Sequence, residues 1–162
     1  MNKPIRLFNN EIEMGVRILV ILRCIYPRSI DTEIMNYYSY FSLHSGDIGD
    51  KQSLHPDVPN RFGELSIKMD LIHRSVRMLL AKELIKQKHT KSGFEYEATE
   101  MTAPFLDSLN EDYLVVLTSK VKWVSESFIG SYSAKEIRLF VNENKDKWGG
   151  ELSYCTKGLL NE

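Results

Sequence analysis

Asn9 and Asn10 stand ahead of a run in which Ile12, Val16, Leu19, Val20 and Ile25 recur at helical spacing. Either asparagine can cap that helix. Glu11 and Glu13 follow, near the positive end of its dipole, and Pro27 ends it. Ser29 is the expected cap of a second helix, with Ile30, Ile34, Tyr37, Tyr38 and Phe41 as its apolar stripe and Tyr40 to the side. A third helix is predicted over 66–83, where Met69, Ile72, Val76, Leu79 and Leu80 share one face and Asp70, Arg74 and Arg77 take the other. Residues 84–90 and 94–99 then read as two strands joined at Lys91-Ser92-Gly93, the second alternating apolar and polar with period two.

Beyond the hairpin the pattern returns to helical spacing. Thr102-Ala103-Pro104 opens a short helix through Leu109, with proline early, where a missing N–H costs least. A longer helix over 111–128 carries Tyr113, Leu114, Leu117, Val121, Val124 and Phe128. Ser133 with Glu136 three residues on is a capping box for a last helix, through Ile137, Phe140 and Val141 toward Trp148. Gly149-Gly150 breaks it, and 151–162 reads as a flexible tail.

Three helices followed by a hairpin predict a mainly α chain with a small β-hairpin wing: a winged helix-turn-helix core over 1–101 and a C-terminal helical extension over 102–150. One stretch breaks that pattern. DNA-binding winged helices join their second and third helices by a tight turn, whereas here a polar, turn-rich segment inserts at 43–64, LHSGDIGDKQSLHPDVPNRFGE. Four Gly or Pro between Gly46 and Pro59 (Gly46, Gly49, Pro56, Pro59) and two histidines (His44, His55) mark turns. Loops of that length are usually functional or disordered.

Composition adds limits. With 162 residues and 43% apolar content the chain can bury one core. Charge is balanced overall, 21 basic against 22 acidic, but residues 61–91 hold eight Lys or Arg and three acids, a local +5 that leaves −6 for the rest. No basic segment leads an apolar run into a cleavage site, and the longest apolar stretch, Ile18–Leu22, is five residues, far from the ~20 of a membrane span. Cys24 and Cys155 form no motif, so a reduced, cytoplasmic setting and no membrane are the expectation.

Chemistry-bearing residues are sparse. His44, Asp47, Asp50 and His55 share the loop, but no i, i+4 histidine pair and no CxxC accompanies them, so no metal is expected. Ser45-Gly46-Asp47 and Ser53-Leu54-His55 sit in no strand-turn-helix elbow, Cys24 lies on an apolar helix side, and no GxxxxGK[ST] phosphate loop is present. The expectation is a chain that is not an enzyme and carries no cofactor. The basic residues of the third helix and wing, Lys68, Arg74, Arg77, Lys86, Lys88 and Lys91, could contact DNA phosphates. Alternatively they form a solvated face, with Asp70 pairing to Arg74 four residues on. That face offers no Asn or Gln to read adenine. The run Tyr37, Tyr38, Tyr40, Phe41 reads as core or as an interface, and Trp123 and Trp148 share that ambiguity.

The loop motifs carry a resemblance. His44-Ser45-Gly46-Asp47, then Ser53-Leu54-His55-Pro56, Arg61 and Gly63-Glu64-Leu65, with Leu71-Ile72, Leu79-Leu80 and Leu84-Ile85 after them, resemble the type 2 middle component of ABC-three-component systems. Leu7-Phe8-Asn9-Asn10-Glu11, Gly15-Val16-Arg17 and the Pro27 region fit the same pattern, so the resemblance covers about residues 5–150. Where the family pattern continues past the HSGD turn with paired glycines, this chain has Gly49-Asp50-Lys51, which alters the loop tip. The resemblance implies a small non-catalytic subunit encoded between an SMC-like ABC ATPase and an effector, often a nuclease, in Lamassu-like anti-phage and anti-plasmid systems. Such a subunit would bridge ATPase and effector and restrain the effector until foreign DNA is engaged. The expected partner-binding residues are then His44, Gly46, Asp47, His55, Pro56, Arg61, Gly63 and Glu64, with Arg61 forking onto a partner carboxylate. Non-specific double-stranded DNA would be met through the complex. The alternative is a free-standing winged-helix regulator, for which Arg74 and Arg77 would matter more than the loop.

Overall fold

The structure is a computed structural model that describes residues 10–57 and 59–148, excepting the side chains of 61, 62, 145, 146 and 148. The tail at 151–162, the Gly149-Gly150 break, the Leu7-Phe8-Asn9 opening and Cys155 lie outside the described residues, as do the side chains of Arg61 and Trp148.

Among the described residues, six helices and one hairpin follow the expected order. Helix α1 (Glu11–Ile25) is capped by Asn10, whose side-chain oxygen accepts the Glu13 N–H at 2.8 Å. Its burial runs nearly all round, over Met14, Arg17, Ile18, Leu19, Val20, Ile21 and Leu22, because the second to fifth helices and the hairpin all pack on it. Ile12, expected on the apolar stripe, is 68% exposed in the first turn of the helix.

Helix α2 (Thr32–Leu43) begins later than Ser29 would set it. Both backbone polar groups of Ile30 are bonded to Tyr96, at 3.1 and 2.8 Å, which holds Ile30 extended and moves the cap to Asp31. Ser29 instead donates to the Glu95 carboxylate at 2.6 Å. Tyr40, expected at the side of the stripe, is buried with Tyr37, Tyr38 and Phe41. Of the two readings of the aromatic run, core is the observed one.

After α2 a 3-10 turn (Ser45–Ile48) opens the inserted loop. Helix α3 (Arg61–Ala81) starts five residues before the expected position, since Asn60 caps it by accepting the Gly63 N–H at 2.8 Å. Strands β1 (Ile85–Thr90) and β2 (Gly93–Ala98) pair antiparallel from Ile85↔Ala98 to Thr90↔Gly93. Gly93 turns the hairpin at a φ of +126°, a conformation that glycine adopts without steric cost.

Helices α4 (Thr102–Ser108), α5 (Asp112–Ser127) and α6 (Ala134–Trp148) follow the hairpin. A short 3-10 turn, Ile129–Ser131, links the last two, and a Cβ on Gly130 would stand 2.0 Å from the Ser125 carbonyl oxygen, so only glycine fits there. The expected capping box of α6 is present, with Ser133 N–H donating to Glu136 at 2.7 Å and Glu136 N–H donating to the Ser133 hydroxyl at 3.3 Å. Leu117, Val121 and Val124 of α5 and Ile137 and Val141 of α6 belong to the same apolar cluster as α1–α3. Arg138 of α6 forks onto Glu33, at 2.5 Å, and Asp31, pinning α6 to the start of α2.

Candidate functional site: the inserted loop and its anchor

The loop leaves α2 through His44, whose N–H donates to the Tyr40 carbonyl at 2.9 Å. Gly49, at a φ of +100°, then reverses the chain. Polar contacts within the loop close the reversal. The buried Ser45 hydroxyl donates to Asp50 at 2.6 Å, the Ser53 hydroxyl accepts the Gly46 N–H at 2.9 Å, and His55 N–H donates to the Leu43 carbonyl at 2.8 Å.

Helix α5 holds this arrangement from outside. Lys120 donates to Asp50 at 2.6 Å and to the Gln52 carbonyl, and Tyr113 meets His55 Nε2 at 3.2 Å. The Asp50 carboxyl is held below its ordinary range first by the Lys120 bond and then by Ser45.

Beneath the loop lies a polar cluster. The His44 ring is 2% exposed, stacks on Tyr40 at 4.8 Å and stands edge-on to His55 at 6.2 Å. Burial lowers the pKa of His44; burial, then the nearby Arg17 and Lys68 charges, lower that of His55. Tyr40 donates to Asp47 at 2.6 Å. Arg17, also 2% exposed, donates to Ser39 at 3.2 Å and to Glu13 at 3.0 Å. Its Nε has no hydrogen-bond partner among the described residues. A guanidinium carried into a core needs such partners, because an unpaired buried charge costs several kcal/mol.

Of the expected partner-binding residues, Gly46 and Pro56 are at the surface. Asp47, His55, Gly63 and Glu64 are half-buried, and the last two lie in the first turn of α3. His44 faces inward and shapes the loop from below. The Arg61 side chain is outside the described residues. Sequence reasoning did not place Tyr113 or Lys120 at the loop, and no local signal marks them, since each reaches it from more than fifty residues away.

The basic residues divide differently. Lys68 pairs with Glu64 at 2.5 Å, and Arg74 with Glu11 at 2.8 Å and, as expected, with Asp70 at 3.1 Å. Lys86, at 2.7 Å, and Lys88 both pair with Glu97, whose side chain is 5% exposed. Among the described residues Arg77 and Lys91 are exposed and join no ion pair, so the net positive field of this face is smaller than its lysine and arginine count suggests. No group of three or more His, Cys, Asp or Glu among the described residues could hold a metal ion, and no described helix is long and apolar enough to cross a membrane.

No curated protein and no solved structure matches the chain. A family profile does, over residues 7–151, and its description is the ABC-three component (ABC-3C) system Middle Component 2. That span takes in α1, the anchored loop, the hairpin and all of α4–α6. The chain belongs to the middle component 2 family of ABC-three component systems.

Proposed function

We propose that the protein is a non-catalytic adaptor of a prokaryotic anti-phage or anti-plasmid defence complex. It bridges an SMC-like ABC ATPase, of the kind found in Lamassu-like systems, and an effector, often a nuclease, and helps restrain the effector until foreign DNA is sensed. Family membership over 7–151 carries the reading, because a middle component is defined by the components on either side of it. The loop supports it physically. The insertion at 44–60, tied to α5 by Lys120 and Tyr113, presents Gly46, Lys51, Pro56 and Asp57 on an ordered frame, and a preordered loop loses less conformational entropy on docking. In this reading Gly46, Asp47, Pro56, Arg61, Gly63 and Glu64 meet the partner, while His44 and His55 shape the surface. The complex works in the cytoplasm, and Arg77 and Lys91 are the residues of this chain best placed to touch DNA phosphates within it.

Tagged protein, co-expressed with the products of its neighbouring genes, is expected to recover an ATPase and a second protein in stoichiometric amounts. Arg61→Ala is expected to weaken that recovery strongly, since removing one side of a buried charge pair typically costs about 2–5 kcal/mol. Recovery of a lone homodimer that binds DNA, with affinity falling steeply as salt rises, would replace the adaptor by the winged-helix regulator.

A further inference from the structure

Helix α6 has an outer face that solvation alone does not explain. Glu136, Leu139 and Glu143 recur at i, i+3 and i+7, one side of a helix. Leu139 is 55% exposed between the two acids. Beside it Tyr132 is 47% exposed, although its ring packs on Phe128 at 5.6 Å. Phe128 in turn meets Phe140 at 4.8 Å and Phe41 at 5.3 Å, so the floor beneath these two side chains is packed against the core.

Together these residues line a groove of about 190 Å³, the room of one large side chain, with Ile137 at its base. Among the described residues its only charged lining groups are Glu136 and Glu143. Neither joins an ion pair with a described lysine or arginine. Glu136 accepts two bonds from Ser133, both 2.7 Å, which favour its ionised form. The groove therefore offers an apolar floor with a negative charge at each end, about two helical turns or ~10 Å apart.

We propose that this groove is a second docking surface, filled by a partner helix whose contacting face reads basic, apolar, basic. The apolar residue enters over Tyr132, Leu139 and Phe140, and flanking lysines or arginines meet Glu136 and Glu143. Charge complementarity selects this occupant: an acidic partner would be repelled at both ends, and a wholly apolar one would leave both carboxylates uncompensated. The inference rests on the adaptor reading and extends it, because a subunit that bridges two proteins needs a surface besides the loop.

Leu139→Glu and Glu143→Lys test it in the full chain, co-expressed with the products of the neighbouring genes. Both positions are exposed, so the thermal midpoint of the isolated chain checks that the fold is intact. Glu136 is left unchanged because it caps α6. Expected is an about tenfold loss of one co-purifying protein for Leu139→Glu. A smaller loss, largest at low salt, is expected for Glu143→Lys, while a loop substitution such as Pro56→Arg affects the other partner. Full recovery of every partner by both variants, with wild type also recovering them, would overturn the groove and leave the adaptor reading standing. Wild type recovering no partner would overturn both. A homodimer of the isolated chain that Leu139→Glu dissolves would overturn it too, by placing a second copy in the groove.

Discussion

At the scale of single residues, the two loop histidines and Arg17 show what burial does to ionisable groups. His44 and His55 both have their pKa pushed below the ordinary 6.5, burial being the leading cause. A histidine whose folded pKa is lowered binds fewer protons folded than unfolded. Its stabilisation is therefore complete above about pH 6.5 and is lost as pH falls below that value toward the folded pKa. Acidification from pH 7.5 to 5.5 is expected to lower the thermal midpoint of the protein. A His44→Gln, His55→Gln double variant should show a shallower fall, and an equal slope in the two proteins would remove the histidines as its source. Arg17 differs because it stays charged. Glu13, itself partly solvated, and Ser39 accept from it, so the core around α1 is arranged to hold a cation.

At the scale of elements, the loop and α5 behave as one piece. Among the loop amides, those of Gly46, Gly49, Asp50 and His55 are bonded within the loop or to the end of α2. Lys120 closes the arrangement against α5. The Lys120–Asp50 pair is partly solvated, so removing it should cost the whole protein only about 1 kcal/mol. Its local effect should be larger, because an unlatched loop opens without unfolding the core. Lys120→Ala is expected to speed hydrogen exchange of those four amides at least tenfold while leaving the amides of α1 protected. Unchanged loop exchange would show that Tyr113 and the loop's own bonds suffice. The wing is tied in by a comparable device, the Ile30–Tyr96 bridge, which fastens β2 to the connection between α1 and α2.

At the scale of the whole molecule, one apolar cluster joins α1–α3 and the hairpin to the C-terminal helices. Leu117, 1% exposed, and the fully buried Val121 and Val124 pack α5 onto α1 and α2. Leu117→Ala should cost about 3 kcal/mol, in the usual range for a buried leucine. For a chain of this size that lowers the thermal midpoint by roughly 6–12 °C. A chain ending at residue 101 should fail to fold cooperatively, since α1 and α2 would expose the surface that α5 covers. Calorimetry checks both, and a stable, cooperative 1–101 fragment would establish an independent winged domain.

Periodicity is a local property, and what it governs was legible in advance. The order of helices and hairpin, the inward face of α3 with Asp70, Arg74 and Arg77 outside, the Ser133–Glu136 box and the turn at Gly93 all depend on residues within one or two turns of each other. The loop motif, from HSGD to Gly63-Glu64, likewise reads directly and agrees with the family match. Contacts across dozens of residues were not legible. Ile30 paired with Tyr96 delays α2, Lys120 and Tyr113 secure the loop, Glu97 draws in Lys86 and Lys88, and Leu139 and Tyr132 share a groove with Glu136 and Glu143. Each depends on which surfaces meet once the chain has collapsed around α1, and burial strengthens or neutralises a charge only after that meeting has occurred.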